Sequence, residues 1–316
     1  MGKENIEKLL PGVKKNILLK NHTTFKIGGI AEYFFVARNT KDIIKAVLAA
    51  KKCKLKFFIL AGGSNLLVSD KGFDGLVINI QNTKYRIEKE TVYTEAGVPF
   101  TLLVMATTKL GLKGLEWAAG IPGTLGGAIA GNAGAFRGEI KDSISEVEIL
   151  DEKGKIRKLS KTQCKFSYRE SVFKKKNWII LSVVLKLKKG NKKELQVQRD
   201  NIIQYRKEKY ITYPSAGSVF KNCDLKKVSK KTKDFFAEKV KKDPFPLIPA
   251  AVIIAKAGLK GLKVGDAQVF KSYPNFIVNL GKASSSDVKK LISLIKAKVK
   301  KKFKIILKEE IRFVGF

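Results

Sequence analysis

The sequence predicts an α+β protein that contains more than one lobe. Segments with the apolar or alternating pattern of β-strands are interspersed with segments that have an apolar face at helical spacing, and two glycine-rich elements lie between them. The chain has 316 residues, of which 44% are hydrophobic. It is therefore long enough for two or three lobes, each with a core of its own.

The first half of the chain alternates between predicted strands and helices. Residues 31–37 form a predicted buried strand, and Asn39-Thr40 is a predicted N-cap for a helix with Ile43, Ile44, Val47 and Leu48 on its apolar face. A second strand at 57–60 runs directly into a glycine loop. The other elements predicted are strands at 76–80 and 91–96, a helix at 100–110, a hairpin formed by 147–150 and 155–159, and a strand at 178–187.

The second half has fewer clear patterns. Residues 111–138 are so rich in glycine that we expect loops there, and a polar helix follows at 194–209. The lysine-rich and proline-rich stretch 224–249 is predicted to be an insertion or a mobile loop. Near the end, Ser286-Asp287 is the predicted cap of a helix with an apolar stripe, and residues 305–313 form a predicted final strand.

The net charge of +36 results from 64 Lys and Arg residues against 28 Asp and Glu residues. Such a balance is common in nucleic-acid-binding proteins, but we find no zinc-finger or RRM signature. The lysine runs at 174–176, 226–242 and 296–304 are equally typical of solvated faces. A positive surface would also attract an anionic nucleotide substrate. These three interpretations of the charge remain open.

Cysteine and histidine content restricts the chemistry. Cys53, Cys164 and Cys223 have no CxxC or Cys/His ligand spacing, so neither a disulfide framework nor a zinc site is expected. His22 is the only histidine, which excludes a metal site built from several histidines and is typical of a surface residue. No apolar run approaches the roughly 20 residues of a membrane helix. We expect a cytoplasmic protein with no metal and no membrane insertion.

Two glycine elements are candidate ligand sites. Ala61-Gly62-Gly63-Ser64-Asn65 follows a strand, and the segment from Gly120 to Gly134 lies about 60 residues further along the chain. Glycine permits positive φ and close approach of the backbone to a ligand, so the pair predicts a long cofactor with a pyrophosphate. Structural turns are the alternative, since the P-loop and Rossmann patterns are both absent.

Eight motifs in order give the sequence a family resemblance. They are Asn21-His-Thr-Thr-Phe-Lys-Ile-Gly-Gly29, Gly62-Gly-Ser-Asn65, Gly114-Leu-Glu-Trp-Ala-Ala-Gly-Ile-Pro-Gly123, Tyr168-Arg-Glu-Ser171, Ser215-Ala-Gly-Ser-Val-Phe-Lys-Asn222, Ala257-Gly-Leu-Lys-Gly261, Asn275-Phe-Ile-Val-Asn279 and Glu310-Ile-Arg-Phe-Val-Gly315. Over residues 20–316 the chain resembles the UDP-N-acetylenolpyruvoylglucosamine reductase family. It resembles the shorter subgroup, which lacks an extra tyrosine-bearing loop.

The resemblance implies a FAD-binding fold of the vanillyl-alcohol-oxidase (PCMH) type, with two α+β lobes and a C-terminal α+β substrate-binding domain. The implied boundaries are 1–83 for the first lobe, completed by a C-terminal strand at 303–316, then 84–192 for the second lobe and 193–302 for the substrate-binding domain. FAD would be bound non-covalently, and NADPH would be the co-substrate. The implied reaction reduces a UDP-sugar enolpyruvyl ether to UDP-N-acetylmuramate for peptidoglycan synthesis.

Three residues match the catalytic positions of the family. Arg169 would hold the substrate carboxylate with its planar fork, Ser218 would donate the proton, and Glu310 would help to stabilise the enolic intermediate. Taken without the ordered motifs, the three would be a surface ion-pairing arginine, a serine in a turn and a solvated glutamate.

The resemblance also implies two sets of binding residues. The cofactor-binding set comprises Gly62, Gly63, Ser64, Asn65, Gly120, Ile121, Pro122, Gly123, Thr124, Gly127, Asn132, Ala133 and Gly134. The substrate-binding set comprises Tyr168, Arg206, Lys209, Lys221 and Asn222.

Some features differ from the family pattern or favour other functions. Tyr210 and Cys223 stand where family members often have proline. One alternative is another flavoprotein of the same fold, such as an alcohol oxidase, although many of those attach flavin through a histidine. A second is a basic nucleic-acid-binding protein. We expect a monomer that acts on a small molecule and requires no nucleic acid.

Overall fold

The chain folds into two units that interleave along the sequence. The computed structural model describes residues 5–208, 211–242 and 245–316. One unit comprises Met1–Ile17, Ala31–Gly62 and Asp74–Tyr210, and the other comprises Leu18–Ile30, Gly63–Phe73 and Ile211–Phe316. The predicted domain boundaries after residues 83, 192 and 302 are a different division of the chain and stay a prediction.

Helices and strands are both present throughout the described residues, as predicted. The helices are α1 (Ile6–Leu9), α2 (Thr40–Lys52), α3 (Phe100–Lys109), α4 (Leu125–Ala130), α5 (Lys192–Glu208), α6 (Lys230–Phe236), α7 (Ala250–Lys256) and α8 (Ser285–Phe303). The strands of the first half are β1 (Lys14–Leu18), β2 (Ile30–Ala37), β3 (Phe57–Leu60), β4 (Leu66–Val68), β5 (Phe73–Ile80), β6 (Tyr85–Glu88), β7 (Thr91–Glu95), β8 (Leu112–Lys113), β9 (Gly134–Ala135), β10 (Gly138–Glu139), β11 (Ile144–Leu150) and β12 (Ile156–Ser160). Those of the second half are β13 (Ile179–Lys186), β14 (Lys188–Lys189), β15 (Ser215–Ser218), β16 (Cys223–Asp224), β17 (Leu247–Ile248), β18 (Lys263–Val264), β19 (Ala267–Val269), β20 (Phe276–Asn279) and β21 (Arg312–Val314).

The first unit begins with a four-stranded sheet in the order β1-β2-β5-β3, in which β3 and β5 are parallel. Helix α2 lies between β2 and β3 in the sequence. Its start is the predicted one, because the Asn39 side chain accepts a hydrogen bond of 2.9 Å from the Asp42 amide. Of the predicted apolar face of α2, Ile43 and Val47 are buried in the core of this sheet and Ile44 is partly buried, whereas Leu48 is 47% exposed.

A second sheet of the first unit has the order β12-β11-β13-β7-β6. The predicted hairpin is confirmed, since β11 and β12 pair in antiparallel register across a turn that begins at Asp151. The amides of Lys155 and Lys153 donate to the Asp151 carboxylate and lower its pKa. Helix α3 buries Phe100 and Leu103 in the core of this lobe, and the Phe100 ring meets the edge of Trp117 at 5.9 Å.

Helix α5 belongs to the same unit as this second sheet. The Arg199 guanidinium on α5 donates to the Thr108 hydroxyl of α3 at 3.3 Å, and Leu195 is buried. Helix α5 therefore lies close to the glycine-rich segment that follows α3 in the sequence.

The second unit contains an antiparallel sheet in the order β15-β20-β19-β18, covered by α8. Val288, Leu291, Ile295 and Val299 form the predicted apolar stripe of α8 and are all buried. Strand β21 pairs in parallel with β4, so the C-terminus joins residues 66–68. None of the helices in residues 5–208, 211–242 and 245–316 has the length and apolarity needed to cross a bilayer.

Three local predictions were only partly correct. Residues 111–138 are not only loops, because Thr124 caps a six-residue helix there, α4. In residues 305–313, which are predicted to form the final strand, regular pairing begins only at Arg312, the first residue of β21. The stretch 224–249 contains α6, and pairing of β16 with β17 brings its two ends together. In each case pairing or burial against distant residues, which no local pattern encodes, decided the conformation.

The cap of α8 also differs from the prediction. Ser284 is the N-cap, and its hydroxyl accepts from the Asp287 amide while the Asp287 carboxylate accepts from the Ser284 amide, both at 3.0 Å. This reciprocal pair is a capping box. The hydrogen bonds from the Ser284 amide and hydroxyl lower the pKa of Asp287, so its stabilising contribution is present above the unfolded pKa and is lost as pH falls through the folded value.

We expect Ser284→Ala to lower the free energy of unfolding by about 1 kcal/mol, because one capping hydrogen bond is lost. Ser286→Ala is the matched control: Ser286 is exposed and lies in the first turn of the same helix, so its loss should change stability by only a few tenths of a kcal/mol. Chemical denaturation of both variants measures the difference. Equal effects would contradict the observed cap.

Candidate active site

The first glycine element spans the division between the two units. Gly62 ends one segment of the first unit, and Gly63, Ser64 and Asn65 begin a segment of the second. Gly63 has φ +62°, and a Cβ at this position would collide with the carbonyl oxygen of His22. Only glycine meets both requirements without strain.

In the first unit, Gly62 meets the second glycine element directly. A Cβ on Gly62 would lie 2.7 Å from the Cα of Gly123, so the two backbones touch with no room for a side chain. Gly123 itself has φ +104°, and its carbonyl accepts from the Phe100 amide at 3.0 Å. The structure therefore brings together two loops that are about 60 residues apart in the sequence.

The second element turns into α4 through a short cap. Thr124 is the N-cap, and its hydroxyl accepts from the Gly127 amide at 3.3 Å. The Leu125 and Gly126 amides donate to the carbonyls of Val98 and Ala96, which anchors this turn to the end of β7 and the start of α3. Within the described residues, the amides of Gly123 and Thr124 donate to no carbonyl or side chain. The turn thus has backbone donors available for an anion.

Arg169 and Tyr168 occupy the tip of a tight turn in the first unit. Ser167 and Glu170 exchange two backbone hydrogen bonds of 3.0 Å around them. Arg169 has φ +55°, an uncommon conformation for a residue with a side chain. Its guanidinium donates to the carbonyls of Gly134 at 2.5 Å and Asn132 at 3.4 Å. The candidate catalytic arginine is therefore held against the Asn132-Ala133-Gly134 segment.

Asn132 is fully buried and connects the same elements. It adopts φ +42°, and its amide group donates to the Ser167 carbonyl at 2.9 Å. Its side-chain oxygen accepts from the Lys141 amide at 3.4 Å. Asn132 thereby fixes the base of the turn that presents Tyr168 and Arg169.

Arg206, on α5, lies over the glycine segment. Its Cδ would be 2.7 Å from a Cβ on Gly120, and its guanidinium carbon is 5.6 Å from the centroid of the Phe136 ring. Burial lowers the pKa of the Arg206 guanidinium, although the group stays charged at neutral pH. A desolvated cation beside this loop suits an anionic ligand.

Two buried side-chain atoms in the described part of the chain have no hydrogen-bond partner. They are Nε of Arg206 and Oε1 of Glu139. Glu139 packs its Cγ against Gly134 and forms an ion pair with Lys141. Buried polar atoms without partners cost about 1–3 kcal/mol each, and both of these flank the second glycine element. The site is therefore suited to a ligand that offers one acceptor and one donor.

In the second unit, Ser218 and Glu310 lie on paired segments. Ser218 ends β15, and the Glu310 amide donates to the carbonyl of Val219, the next residue, at 2.7 Å. The Lys221 amide donates in turn to the Lys308 carbonyl at 2.9 Å. The Asn65 side chain donates to the Glu310 carbonyl at 3.2 Å. These contacts place two candidate catalytic residues next to the candidate cofactor residue Asn65.

Asn275 holds this arrangement together; the sequence analysis placed it in a motif but assigned it no role. It is buried, and its side chain accepts from the Phe220 amide at 3.0 Å and donates to the Phe220 carbonyl at 2.8 Å. The signal available in the sequence was the position of this polar residue directly before the apolar strand β20, where its side chain could bind the backbone of a neighbouring segment. Asn222, predicted to bind substrate, uses its side-chain oxygen to accept from the Ala250 amide at the start of α7.

The structure thus brings the predicted residues together in two groups. One group, in the first unit, comprises Gly62, Gly120, Ile121, Pro122, Gly123, Thr124, Gly127, Asn132, Ala133, Gly134, Tyr168, Arg169 and Arg206. The other, in the second unit, comprises Gly63, Ser64, Asn65, Ser218, Lys221, Asn222 and Glu310. Lys209 lies outside the described residues. Glu139 and Phe136 are neighbours of the first group that the sequence analysis missed.

Comparison with known proteins defines the class. A model of the FAD binding domain family matches residues 31–160, and a model of the C-terminal domain of UDP-N-acetylenolpyruvoylglucosamine reductase matches residues 208–314. The protein is accordingly an FAD-binding oxidoreductase, and the predicted α+β FAD-binding fold is confirmed.

Full-length relatives identify the family. The UDP-N-acetylenolpyruvoylglucosamine reductases of Clostridium novyi and Caldanaerobacter subterraneus are both 39% identical to this chain, over 96% and 94% of it and 92% of each relative. The crystal structure of the enzyme from Thermus caldophilus superposes with a TM-score of 0.76 at 30% identity, covering 96% of this chain and 99% of that one. The chain belongs to the UDP-N-acetylenolpyruvoylglucosamine reductase family.

The residues of the first unit fit FAD. A pyrophosphate needs convergent donors and close approach of the backbone, and the Gly62/Gly123 contact provides a cradle that any side chain would fill. The amides of Gly123 and Thr124 have the required chemistry. The unpartnered Glu139 carboxylate oxygen would suit a hydroxyl or N–H donor of such a ligand.

We expect Gly62→Ala to abolish FAD binding, because its Cβ would force the Gly123 backbone away from the first loop. Gly131→Ala is the matched control: its nearest neighbour would be 3.6 Å away and its φ is −87°, so alanine is accommodated. The flavin absorbance of the purified proteins and titration of the apoproteins with FAD measure the result. Wild-type FAD affinity in Gly62→Ala would contradict the proposed cradle.

Proposed function

We propose that this protein reduces the enolpyruvyl ether of UDP-N-acetylglucosamine to UDP-N-acetylmuramate, with NADPH as the electron donor, in the synthesis of peptidoglycan precursors. The observation that carries the proposal is the pairing of the Ser218 segment with the Glu310 segment beside Asn65. Family membership supplies the reaction, and the pairing supports the proposal that Ser218 and Glu310 act in it together. The second unit alone contains both of them.

The chemistry sets clear requirements for the protein. When bound, FAD supplies the hydride that adds to one carbon of the substrate alkene. The electron pair of the alkene then moves toward the substrate carboxylate, and a proton must reach the other carbon to give the lactyl ether. The protein therefore needs a cation or hydrogen-bond donors at the carboxylate and an acid at the alkene.

Ser218 is the proposed acid. It follows Gly217, whose φ of +75° breaks the regular pairing of β15 with β20 between Ser215 and Ser218. A bulge of this kind re-aims a side chain at the end of a strand. The two hydrogen bonds between the Asn275 side chain and the backbone of Phe220 then fix the segment that follows Ser218. A serine hydroxyl is a weak acid, so we propose that neighbouring groups, including Glu310, polarise it in the complex.

Glu310 is proposed to stabilise the enolic intermediate as a protonated carboxyl that donates a hydrogen bond. Its backbone is fixed on both sides, by the bond of its amide to the Val219 carbonyl and by the bond from Asn65 to its own carbonyl. A rigid backbone limits the positions that the carboxyl group can take. Such preorganisation is the main way in which a protein stabilises developing charge.

Arg169 is proposed to bind the substrate carboxylate. It is held by the carbonyls of Asn132 and Gly134, which limit the orientation of a planar group suited to a carboxylate. Arg206 supports the same interpretation, since its buried Nε matches an anionic oxygen of the UDP-sugar. Tyr168, Lys209, Lys221 and Asn222 complete the proposed substrate-binding set.

The remaining predictions are parts of the same proposal. FAD is bound non-covalently by the cofactor-binding set from Gly62 to Gly134. The first lobe comprises residues 1–83 and is completed by a C-terminal strand at 303–316, and the second lobe comprises residues 84–192. The substrate-binding domain comprises residues 193–302. The enzyme acts as a cytoplasmic monomer on a UDP-sugar and requires no nucleic acid.

We expect Ser218→Ala to leave the reduction of bound flavin by NADPH unchanged while lowering substrate reduction by a factor of about 100 or more, because general acids contribute rate factors of that size. Anaerobic rapid mixing with NADPH, followed by addition of UDP-N-acetylglucosamine enolpyruvate, separates the two half-reactions. Flavin absorbance reports both.

Ser215→Ala is the control for this substitution. Ser215 lies on the same strand, but its hydroxyl makes only a marginal contact of 3.5 Å with the Gly217 amide, so the variant should retain activity within about twofold. Equal loss in both variants would indicate damage to β15 rather than loss of an acid. Full activity of Ser218→Ala would refute the assigned role, and flavin without substrate-dependent NADPH oxidation would indicate another flavoenzyme.

A further inference from the structure

Two lysine runs that are distant in the sequence meet in the second unit. The Thr232 hydroxyl, in the first turn of α6, donates to the carbonyl of Phe303, the last residue of α8, at 3.1 Å. The rings of Phe235 and Phe236 lie 5.4 Å and 5.1 Å from the Phe303 ring. A hydrogen bond from the first turn of α6 and an aromatic cluster from its last turn therefore join this helix to the end of α8.

Exposed lysines lie on both sides of this contact between α6 and the end of α8 in the sequence, and we refer to them together as the α6–α8 lysine surface. Its members are Lys226, Lys227, Lys230, Lys231, Lys298, Lys300, Lys301 and Lys304, all of which are exposed. Few acidic residues offset them. Residues 226–242 contain only Asp234 and Glu238, and no acidic residue lies between Asp287 and Glu309.

The charges of this surface are not used within the unit. Among the described residues, Lys230, Lys231, Lys300 and Lys301 form no ion pair, so their ammonium groups remain available for an external anion. The proposed active-site residues of this unit lie elsewhere in the chain, in residues 63–65, 218–222 and 310. The lysine surface therefore needs an explanation other than catalysis.

An exposed aromatic ring lies within the lysine surface. Phe235 is 57% exposed, although Phe236 next to it is buried. An exposed phenylalanine among lysines has the two features of a peripheral membrane contact, which are a basic surface for lipid headgroups and an apolar side chain that enters the boundary between headgroups and acyl chains.

We propose that the α6–α8 lysine surface binds the anionic headgroups of a lipid bilayer, with Phe235 at the boundary of the acyl region. This contact is peripheral and involves no membrane-spanning segment. It is independent of the proposed reaction, since it uses none of the residues assigned to that reaction.

Anionic lipid accounts for this surface better than nucleic acid does. The surface contains lysines but no arginine, and lysine acts as a point charge toward headgroups, whereas arginine provides the planar fork typical of nucleic-acid recognition. Single-stranded nucleic acids also require several aromatic rings on which successive bases stack.

Vesicle co-sedimentation of the full-length protein tests the proposal. We expect binding to phosphatidylcholine vesicles that contain phosphatidylglycerol, weak binding to pure phosphatidylcholine, and loss of binding as salt is raised. Reversal of three charges, in Lys230→Glu/Lys231→Glu/Lys301→Glu, should weaken binding about 100-fold or more, since each lysine near an anionic surface contributes about a factor of five.

A matched control distinguishes vesicle binding through this surface from vesicle binding through the net charge of the protein. Lys153→Glu/Lys155→Glu/Lys161→Glu changes the net charge by the same amount at exposed lysines of the first unit, and it should bind vesicles within about tenfold of wild type. Phe235→Ser should retain vesicle binding at low salt but lose the part of the binding that persists at high salt. Phe235→Leu, which keeps an apolar side chain, should restore that part. The melting temperatures of Phe235→Ser and of the Lys230/Lys231/Lys301 variant show whether either substitution unfolds the protein.

Several outcomes would overturn the proposal. Equal losses in the two triple variants would attribute binding to net charge alone. Failure of the wild-type protein to bind anionic vesicles would refute the proposal directly. Loss of binding to a single-stranded DNA oligonucleotide in the Lys230/Lys231/Lys301 variant, with vesicle binding unchanged, would assign the surface to nucleic acid.

Discussion

The arrangement of the second unit depends on the backbone pairing between residues 219–221 and 308–310. The amides of Glu310 and Lys221 donate across this pairing at 2.7 Å and 2.9 Å. The Asn275 side chain makes two hydrogen bonds to the backbone of Phe220 and so fixes the segment 219–221. Because the pairing is formed by backbone hydrogen bonds, it keeps Ser218 and Glu310 close together independently of the conformations of their side chains. The side chain of Asn65 extends the same arrangement to the first glycine loop.

In the first unit the corresponding constraint is the contact between Gly62 and Gly123. Around it the chain adopts conformations that a side chain disfavours, with φ of +42° at Asn132 and +55° at Arg169. Nε of Arg206 and Oε1 of Glu139 are left buried without partners. Strain and unsatisfied atoms of this kind are concentrated at functional sites, where binding of a ligand offsets their cost. The first unit thus has the features of a site that is completed by its cofactor.

The high positive charge has no single explanation, since lysines occur in every part of the chain. Some support local structure, as where Lys302 donates to the Lys256 carbonyl or Lys296 pairs with Glu309. Others gather where α6 meets α8, a concentration that two separate runs in the sequence do not reveal. The same net charge can therefore have different consequences in different parts of the molecule.

The sequence by itself determined the family, the α+β class and most elements with strong local patterns. Helix α2 with its Asn39 cap, strand β3 and the β11–β12 hairpin follow from periodicity and turn chemistry, which are properties of neighbouring residues. The capping box of Ser284 and Asp287 is also a local pattern, and the prediction placed that cap two residues too late. Only the tertiary structure decided that α4 forms within a glycine-rich segment and that Asn275 binds the backbone of Phe220. Both depend on distant partners, since the Leu125 and Gly126 amides donate to Val98 and Ala96 and Asn275 lies 55 residues from Phe220, and a local pattern contains no information about such partners.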